Sequence, residues 1–260
     1  MNGMLKIALT CDSHYGFSEK TPRVLDRFLK KLVKEEFDVL VHCGDWISHK
    51  QSQFEKVFKL FRKYIHPLKP ILSVRGNHDF WNRDDSLRYR GIPKPTYESM
   101  DLSHKELMEK YGIIYLQDKS PYIDPSGVIF WGFDGWYNTL PPPSNDKYFM
   151  PQYAQSCPID VYLEHRASKS LDAILLSVDQ IKKDKPDCKT VCVTHHAPYT
   201  FDERYRGMCA NPKYLDFITE KFDYFFVGHN HQEESWEKYG CYIHNSGSDY
   251  DNPKYKIIEV

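Results

Sequence analysis

The chain lacks any hydrophobic run long enough to cross a lipid bilayer. A spanning helix needs roughly 20 predominantly apolar residues in a row, and no stretch of the 260-residue sequence approaches that length. The first residues, Met1 to Thr10, are too short and too weakly apolar for a signal peptide. We therefore predict a protein without a membrane segment and a cytoplasmic location.

Closely spaced cysteine pairs are missing as well. The seven cysteines are odd in number and form no C-x-x-C motif, which argues against a structural thiolate zinc site and against a disulfide framework. Cys11, Cys43 and Cys192 lie in apolar, strand-like segments, where a free thiol behaves as a small hydrophobic group. We predict a reduced protein, as is usual for the cytosol.

Neither sign of charge is in excess. The sequence has 35 basic and 36 acidic residues, for a formal net charge of -1. This balance argues against bulk electrostatic capture of nucleic acid, although it leaves room for a local basic patch. A hydrophobic content of 41% is enough for a core and excludes a disordered chain.

Apolar strand-like segments alternate with amphipathic helices in the first 80 residues. We predict strands at Met4–Thr10, Asp38–Cys43 and Pro70–Val74, with apolar residues at helical spacing between them. This alternation predicts parallel strands joined by right-handed crossovers. The carboxyl ends of the three strands should therefore lie side by side.

The second half of the chain continues with strands and one long helix. Val128–Phe133, Lys189–Thr194 and Tyr224–Val227 are apolar at nearly every position and predict buried strands. Val161–Lys183 carries apolar residues on one helical face and is the longest predicted helix.

Two segments interrupt this pattern, at 80–110 and 134–160. Within the first, Ser103 and Glu106 form a capping box that predicts the start of a helix. The second is rich in aromatic residues and proline, which favours an ordered lid over a disordered loop. We expect both to be substrate-facing insertions in a single domain that spans residues 1–260.

Residue types that can bind a metal ion follow five of the predicted strands. They are Asp12 and His14, Asp45, Asn77 and His78, His195 or His196, and His229 and His231. A single histidine after a strand is usually a surface residue, but that explanation does not fit five strand ends together. Oxygen and imidazole ligands without thiolate suit manganese, iron or zinc better than calcium.

These residues resemble, in order, the five motifs of the calcineurin-like metallophosphoesterases. The matching segments are Asp12-Ser13-His14, Gly44-Asp45, Gly76-Asn77-His78-Asp79, His195-His196 and Gly228-His229-Asn230-His231. The segment 245–248 also resembles the Asn-x-Gly-Ser segment of that family. The resemblance implies an α/β fold: a four-layer α/β/β/α sandwich of two packed mixed β-sheets flanked by helices, with a metal site on the strand-end loops.

The resemblance also implies a role for each residue. It assigns Asp12, His14 and His231 to one metal ion, Asn77, His195 and His229 to the other, and Asp45 to the bridge between them. It makes His78 a phosphate contact and proton donor, with Asp79 orienting His78 through a hydrogen bond. Between His195 and His196, the motif favours His195 as the ligand.

The implied activity is hydrolysis of phosphomonoesters or phosphodiesters by attack of a metal-bridging hydroxide. Two divalent ions (manganese favoured over iron or zinc) would serve as cofactors. A nucleotide or cyclic-nucleotide phosphodiesterase remains an alternative, in which Trp136, Tyr137 or Tyr148 stacks on a base. A DNA nuclease is disfavoured by the balanced charge, and a non-catalytic scaffold by the complete ligand set.

Overall fold

The structure, a computed structural model, describes residues 4–83, 95–117, 120–138, 144–201 and 203–260. In chain order, its strands are β1 (Lys6–Thr10), β2 (Val39–Cys43), β3 (Ile71–Val74), β4 (Ile113–Tyr115), β5 (Tyr122–Ile123), β6 (Ile129–Phe133), β7 (Tyr153–Ala154), β8 (Cys157–Pro158), β9 (Thr190–Thr194), β10 (Tyr224–Val227), β11 (Glu233–Lys238), β12 (Cys241–Ser246) and β13 (Lys256–Glu259).

The helices fall between these strands. They are α1 (Thr21–Leu32), α2 (Gln53–Tyr64), α3 (Tyr97–Lys110), α4 (Ser144–Phe149), α5 (Ile159–Asp184) and α6 (Lys213–Thr219). Two short 3-10 helices cover His78–Phe80 and Glu203–Met208. The long helix α5 matches the prediction from the sequence within two residues at each end.

The first of two large sheets has the strand order β13-β1-β2-β3-β4. Strands β1 to β4 are parallel, and β13 runs antiparallel to β1. Ile7 pairs with Val39, and Leu40 pairs with Ile71. This register places the carboxyl ends of β1, β2 and β3 side by side, as the alternation of strands and helices predicts.

The second sheet has the order β11-β12-β10-β9-β6-β5. Its four inner strands are parallel, and the edge strands β11 and β5 are antiparallel to their neighbours. Strands β9 and β10 are adjacent, so the loops that follow them, with His195 and His229, are also adjacent. Strands β7 and β8 form a separate two-stranded hairpin.

The two sheets pack face to face. Leu9 and Val41 of the first sheet belong to the same buried cluster as Phe130 and Val193 of the second. Helices α1 and α2 cover the outer face of the first sheet, and α5 and α6 cover that of the second. The four-layer α/β/β/α sandwich implied by the sequence is therefore confirmed.

Helix α3 begins earlier than the sequence predicts. Its N-cap is Thr96, whose side-chain oxygen accepts a hydrogen bond from the Ser99 backbone N–H at 3.2 Å. Thr96 has an extended backbone, as an N-cap requires, whereas Ser103 lies inside the helix. The predicted start at Ser103 was wrong, and residues 84–94 of the same insertion lie outside the described residues.

The predictions about cysteines and hydrophobic runs can be compared with the structure directly. All seven cysteines are free, and Cys11, Cys43 and Cys192 are buried. Within the described ranges, every helix is too short or too polar to cross a membrane.

A buried ion pair joins the two sheets at their common edge. Arg75 follows β3 and is fully buried, and Asp134 follows β6. The Arg75 backbone N–H donates to Asp134 Oδ1 at 2.8 Å, and its guanidinium Nη2 donates to Asp134 Oδ2 at 3.1 Å. Nη2 also donates to Asp101 Oδ1 of α3 at 2.7 Å. Arg75 thus holds the end of β3 against the end of β6.

Arg75→Met should destabilise the fold strongly. It removes the guanidinium of a buried pair and leaves Asp134 Oδ2 with the Tyr115 hydroxyl at 2.5 Å and the more distant Arg166 Nη1 at 3.9 Å. The free energy of unfolding should therefore fall by about 3 kcal/mol, the lower end of the range for a broken buried pair. Urea denaturation followed by circular dichroism would measure this. The double variant with Asp134→Asn should lose less than the sum of the two single variants. Simple additivity would show that the pair is not coupled.

Candidate metal centre

The structure places the sequence-predicted site residues on loops at one edge of the two sheets. Asp12 and His14 follow β1, Asp45 follows β2, and His229 and His231 follow β10. Asn77, His78 and Asp79 follow β3, and His195 and His196 follow β9. The parallel strands thus bring together residues that lie more than 200 positions apart in the sequence.

The first group consists of Asp12, His14 and His231. His231 Nε2 lies 3.3 Å from His14 Nε2 and 3.6 Å from Asp12 Oδ1. Asp12 Oδ1 is buried and makes no hydrogen bond within the described part of the chain. An unpaired carboxylate oxygen facing two imidazole nitrogens is costly by itself, but it fits a divalent cation.

The second group consists of Asn77, His195 and His229. His195 Nε2 lies 3.3 Å from Asn77 Oδ1 and 3.2 Å from His229 Nδ1. His195 Nδ1 donates to the Cys43 carbonyl oxygen at 2.7 Å. Because a carbonyl only accepts, this bond places the proton on Nδ1 and leaves the Nε2 lone pair facing the group.

Asp45 lies between the two groups. Its Oδ2 is 3.6 Å from His14 Nε2 and 3.5 Å from His195 Nε2. Its Oδ1 accepts a hydrogen bond from the His78 backbone N–H at 2.9 Å. One oxygen of Asp45 is therefore held by the β3 loop, and the other faces a histidine from each group.

The electrostatics of these side chains favour binding a cation. Burial lowers the pKa of His14 and His195 well below the ordinary value, so both imidazoles are neutral and can act as ligands. Burial raises the pKa of Asp45, and the nearby carboxylates Asp79 and Asp12 raise it further. Positive charge close to Asp45 would reverse this shift and stabilise its ionised form.

Several of the loops hold their residues in a strained backbone conformation. Asp12, His14, Asp45, His229 and His231 have φ values of 48°, 40°, 56°, 69° and 54°. Left-handed backbone costs roughly 1–2 kcal/mol for a residue with a Cβ atom. Such strain is typical of functional sites, where it fixes side chains in a required direction.

A glycine lets the loops after β2 and β3 approach each other closely. A Cβ atom on Gly76 would lie 2.1 Å from Asp45 Oδ1 and 2.6 Å from His195 Nε2. Both distances are far shorter than van der Waals contact. Any larger residue at position 76 must displace the carboxylate or the imidazole.

Gly76→Ala should therefore impair the site while the fold persists. A displacement of about 1 Å at an active site can reduce turnover by about 100-fold, and we expect a loss of this size for phosphate-ester hydrolysis. Gly207→Ala is a suitable control, because a Cβ atom there would meet nothing within 4 Å. Equal activities of the two variants would contradict the requirement for glycine at position 76.

His78 lines a cavity of about 280 Å³, and Asp45, Asn77 and His231 line the same cavity. His78 Nδ1 donates to the Ser48 carbonyl oxygen at 3.1 Å, which leaves Nε2 for a ligand. Burial lowers the pKa of His78 to about 3, so its imidazole is neutral when the cavity holds no anion.

The expected hydrogen bond between Asp79 and His78 is absent, and that prediction was wrong. Asp79 accepts instead from the backbone N–H groups of Gly76 at 2.9 Å, Asp45 at 3.0 Å and Trp46 at 2.8 Å. The carboxylate is fully buried, and the backbone N–H groups of the loops after β2 and β3 satisfy both of its oxygens. Asp79 therefore shapes the loops after β2 and β3 and does not orient the imidazole.

His196 lies beside His195 but has different neighbours. Its Nδ1 is 3.4 Å from the Asp134 carbonyl oxygen, and its ring packs edge-on against Tyr137 at 4.6 Å. His195, His196 and His229 each offer a nitrogen within 4.8 Å of the others. His195 is the one whose nitrogen also approaches Asp45, at 3.5 Å.

The aromatic residues considered for base stacking lie in different environments. Of the three alternatives for stacking on a base, Trp136 is 2% exposed and packs against Tyr137 and His196 in the core, which disfavours it. Tyr137 lines the cavity, and Tyr148 is exposed. Trp81 and Asn145 bring the two predicted insertions to the same cavity. Their substrate-facing role stays a prediction.

Sequence reasoning missed three acidic residues of this region. Asp134 follows the predicted strand 128–133, so the strand-end pattern could have identified it. Asp249, whose Oδ1 lies 2.7 Å from His231 Nδ1, lies in an irregular segment. Asp146, whose Oδ1 accepts from Asn77 Nδ2 at 3.0 Å, lies in the short helix α4 within the segment 134–160, where the sequence has no clear period. No periodic signal in the sequence distinguishes these two from other carboxylates.

Comparison with known proteins gives a match to one family. A model of the calcineurin-like phosphoesterase family matches residues 5–233. The matched range includes all five strand-end motifs from Asp12 to His231. No relative is found among curated proteins.

Solved structures with low sequence identity share the fold. A phosphopantetheinyl hydrolase from Mycobacterium tuberculosis has a TM-score of 0.70 at 15% identity, over 96% of this chain and 92% of its own. A dimetal phosphatase from Danio rerio has a TM-score of 0.56 at 10% identity, over 94% and 87%. An NAD nucleotidase from Haemophilus influenzae has a TM-score of 0.53 at 11% identity, over 98% of this chain but 49% of the nucleotidase.

Proposed function

Because the chain belongs to the calcineurin-like phosphoesterase family, we propose that it hydrolyses phosphate esters with two divalent metal ions. The observation that carries the proposal is the position of Asp45. Its Oδ2 lies 3.6 Å from a histidine of one group and 3.5 Å from a histidine of the other. A carboxylate that lies between two groups of potential ligands suits a dinuclear centre.

Each group supplies three ligands in this proposal. Asp12, His14 and His231 would hold one ion, Asn77, His195 and His229 would hold the other, and Asp45 would contact both. When bound, the two ions would activate a water molecule and neutralise charge on the phosphoryl oxygens. The oxygen and imidazole donor set fits manganese, iron or zinc, and we favour manganese.

The ligand set retains positive charge for the substrate. Two divalent ions bring four positive charges, and the carboxylates of Asp12 and Asp45 remove two. Neutral histidines and Asn77 preserve the remainder. The site therefore has a strong preference for an anion, such as a phosphate ester.

His78 is the proposed contact for the leaving group. Its Nδ1 is held by the Ser48 carbonyl oxygen at 3.1 Å, so Nε2 is free to bond a phosphoryl or leaving-group oxygen. An anion in the cavity favours the imidazolium form. In that form, Nε2 can donate a proton to the departing oxygen.

Substrate classes that fit this proposal differ in what they need from the cavity. A nucleotide or cyclic-nucleotide phosphodiesterase would place the base at the cavity that Tyr137 lines, and a DNA nuclease is disfavoured by the balanced charge of the chain. A panel of monoesters and diesters with manganese present would distinguish these activities. It should include a nucleotide and a phosphopantetheinyl ester, the classes named for the structural neighbours. A cytoplasmic location, supported by the free cysteines, is part of the same proposal.

Metal content and diester hydrolysis test the proposal together. The protein reconstituted with manganese should bind two equivalents and hydrolyse bis-p-nitrophenyl phosphate, and a chelator should abolish the activity reversibly. Binding of two equivalents without hydrolysis of any ester in the panel would support the scaffold alternative. Absence of tight metal binding would overturn the dinuclear centre itself.

A further inference from the structure

A buried carboxylate from the segment 134–160 reaches the proposed metal centre. Asp146 lies in α4, lines the cavity and is 2% exposed. Its Oδ1 accepts hydrogen bonds from Asn77 Nδ2 at 3.0 Å and Trp81 Nε1 at 2.6 Å, and its Oδ2 accepts from the Tyr137 hydroxyl at 2.8 Å. Three neutral donors thus converge on one acidic side chain.

The hydrogen bond between Asp146 and Asn77 determines which end of the Asn77 amide faces the proposed metal centre. An amide has a donor end and an acceptor end, and a half-turn exchanges them with almost no change in shape. A carboxylate only accepts, so Asp146 attracts Nδ2 and repels Oδ1. Asn77 Oδ1 consequently lies on the other side, 3.3 Å from His195 Nε2. The oxygen is the only atom of a neutral amide that serves as a metal ligand.

The same carboxylate supports rings that pack on other site residues. The Trp81 ring stacks on His78 with centroids 3.6 Å apart, and the Tyr137 ring packs on His196 at 4.6 Å. Without an acceptor at position 146, the Trp81 N–H would lose a buried partner, which is unfavourable. Asp146 therefore links α4 to the loops that follow β3 and β9.

We infer that Asp146 is a positioning residue that selects the metal-binding orientation of Asn77. The inference rests on the metal centre proposed above but concerns a residue outside its ligand set. Asp146 acts through Asn77, so its effect should be visible in metal affinity in the absence of any substrate.

Asp146→Asn tests this role with little change in size. The substitution removes the negative charge that repels Asn77 Oδ1 and introduces an amide that can also donate. Trp81 Nε1, which donates to Asp146 Oδ1 at 2.6 Å, still favours an oxygen at that place, so the metal-binding orientation of Asn77 is selected less strongly and is not reversed. We expect the affinity for one of two manganese equivalents to fall by about 10–100-fold, the usual effect of losing a group that supports a ligand. The other equivalent should keep its affinity. Calorimetric titration of the metal-free protein would measure both.

Exchanging the side chains at positions 77 and 146 sharpens the test. The double variant Asn77→Asp with Asp146→Asn keeps the total charge and allows a hydrogen bond between the two positions. A carboxylate at position 77 presents an oxygen to the metal in either orientation. We therefore expect the double variant to bind the manganese equivalent that Asp146→Asn weakens more tightly than Asp146→Asn does. The binding free energies of the single and double variants should then depart clearly from additivity. Additive losses would overturn the inference.

Tyr137→Phe is the matched control for packing. It removes the hydroxyl that donates to Asp146 Oδ2 at 2.8 Å and leaves the bond to Asn77 in place. It should lower thermal stability without changing either manganese affinity. An equal loss of metal affinity in Tyr137→Phe and Asp146→Asn would show that Asp146 contributes packing alone.

The result for the unsubstituted protein separates the two proposals. If it binds fewer than two manganese equivalents, the dinuclear centre is refuted. If it binds two and Asp146→Asn binds two with unchanged affinities, the centre stands and the positioning role of Asp146 is refuted.

Discussion

Asp45→Asn is expected to abolish most hydrolysis and to release metal. The substitution preserves the shape of the side chain but removes the charge that lies 3.6 Å from His14 Nε2 and 3.5 Å from His195 Nε2. Metal ions contribute several kcal/mol to such reactions, so activity on an aryl phosphodiester should fall by roughly 10³-fold or more. Elemental analysis of gel-filtered protein should show that fewer than two manganese equivalents remain.

Asp187→Asn provides the control for this change in charge. Asp187 is an exposed carboxylate between α5 and β9, remote from the strand-end loops. The Asp187→Asn protein should retain both manganese equivalents and full activity. An Asp45→Asn protein that still binds two equivalents tightly would contradict the bridging role.

His78→Ala should impair catalysis while the metal ions stay bound. His78 is not among the proposed ligands, and its backbone N–H, which donates to Asp45 Oδ1 at 2.9 Å, is retained in the variant. We expect turnover to fall by about 10²–10³-fold, a typical contribution of general acid catalysis. Manganese content should equal that of the unsubstituted protein.

The choice of leaving group gives this prediction its sharpest test. An alkoxide is a poorer leaving group than p-nitrophenolate and depends more on protonation, so the loss should be greater for an alkyl ester than for an aryl ester. Equal losses on the two substrates would indicate that His78 binds phosphate without donating a proton. Unchanged activity on the aryl diester would remove His78 from the reaction altogether.

His165→Ala controls for the general effect of removing an imidazole. His165 is exposed on α5, and its replacement should leave turnover and metal content unchanged. The Trp81 ring, whose centroid lies 3.6 Å from that of His78, loses a packing partner in His78→Ala. His78→Gln retains more of this contact and should show the same dependence on the leaving group.

Replacement of Asp79 should disturb the loops that carry the site and not the orientation of His78 alone. A carboxylate that accepts from the backbone of Gly76, Asp45 and Trp46 stabilises the loops that carry the site. Its loss would therefore affect loop conformation and metal binding together. A pure effect on proton donation would have required a bond to His78.

The sequence by itself determined the order of the strands and helices that carry the site and the residue types at their ends. Apolar runs that stop at Asp12, Gly44 or Gly76 are local patterns, and parallel strands with short loops necessarily bring such ends to one edge. For this reason, the meeting of these residues at one sheet edge could be predicted, whereas the four-layer sandwich and the two ligand groups were implied by the resemblance to the calcineurin-like metallophosphoesterases. Asp134 obeys the same rule and was overlooked.

Only the tertiary structure decided how these side chains are held. The backbone at Asp12, His14 and Asp45 is left-handed, a conformation that no local pattern predicts for residues with a Cβ atom. Asp146 reaches Asn77 from 69 residues away, and Asp79 turns toward four backbone N–H groups instead of the adjacent imidazole. Contacts between irregular loops depend on the packing of the whole chain, and no sequence period records them.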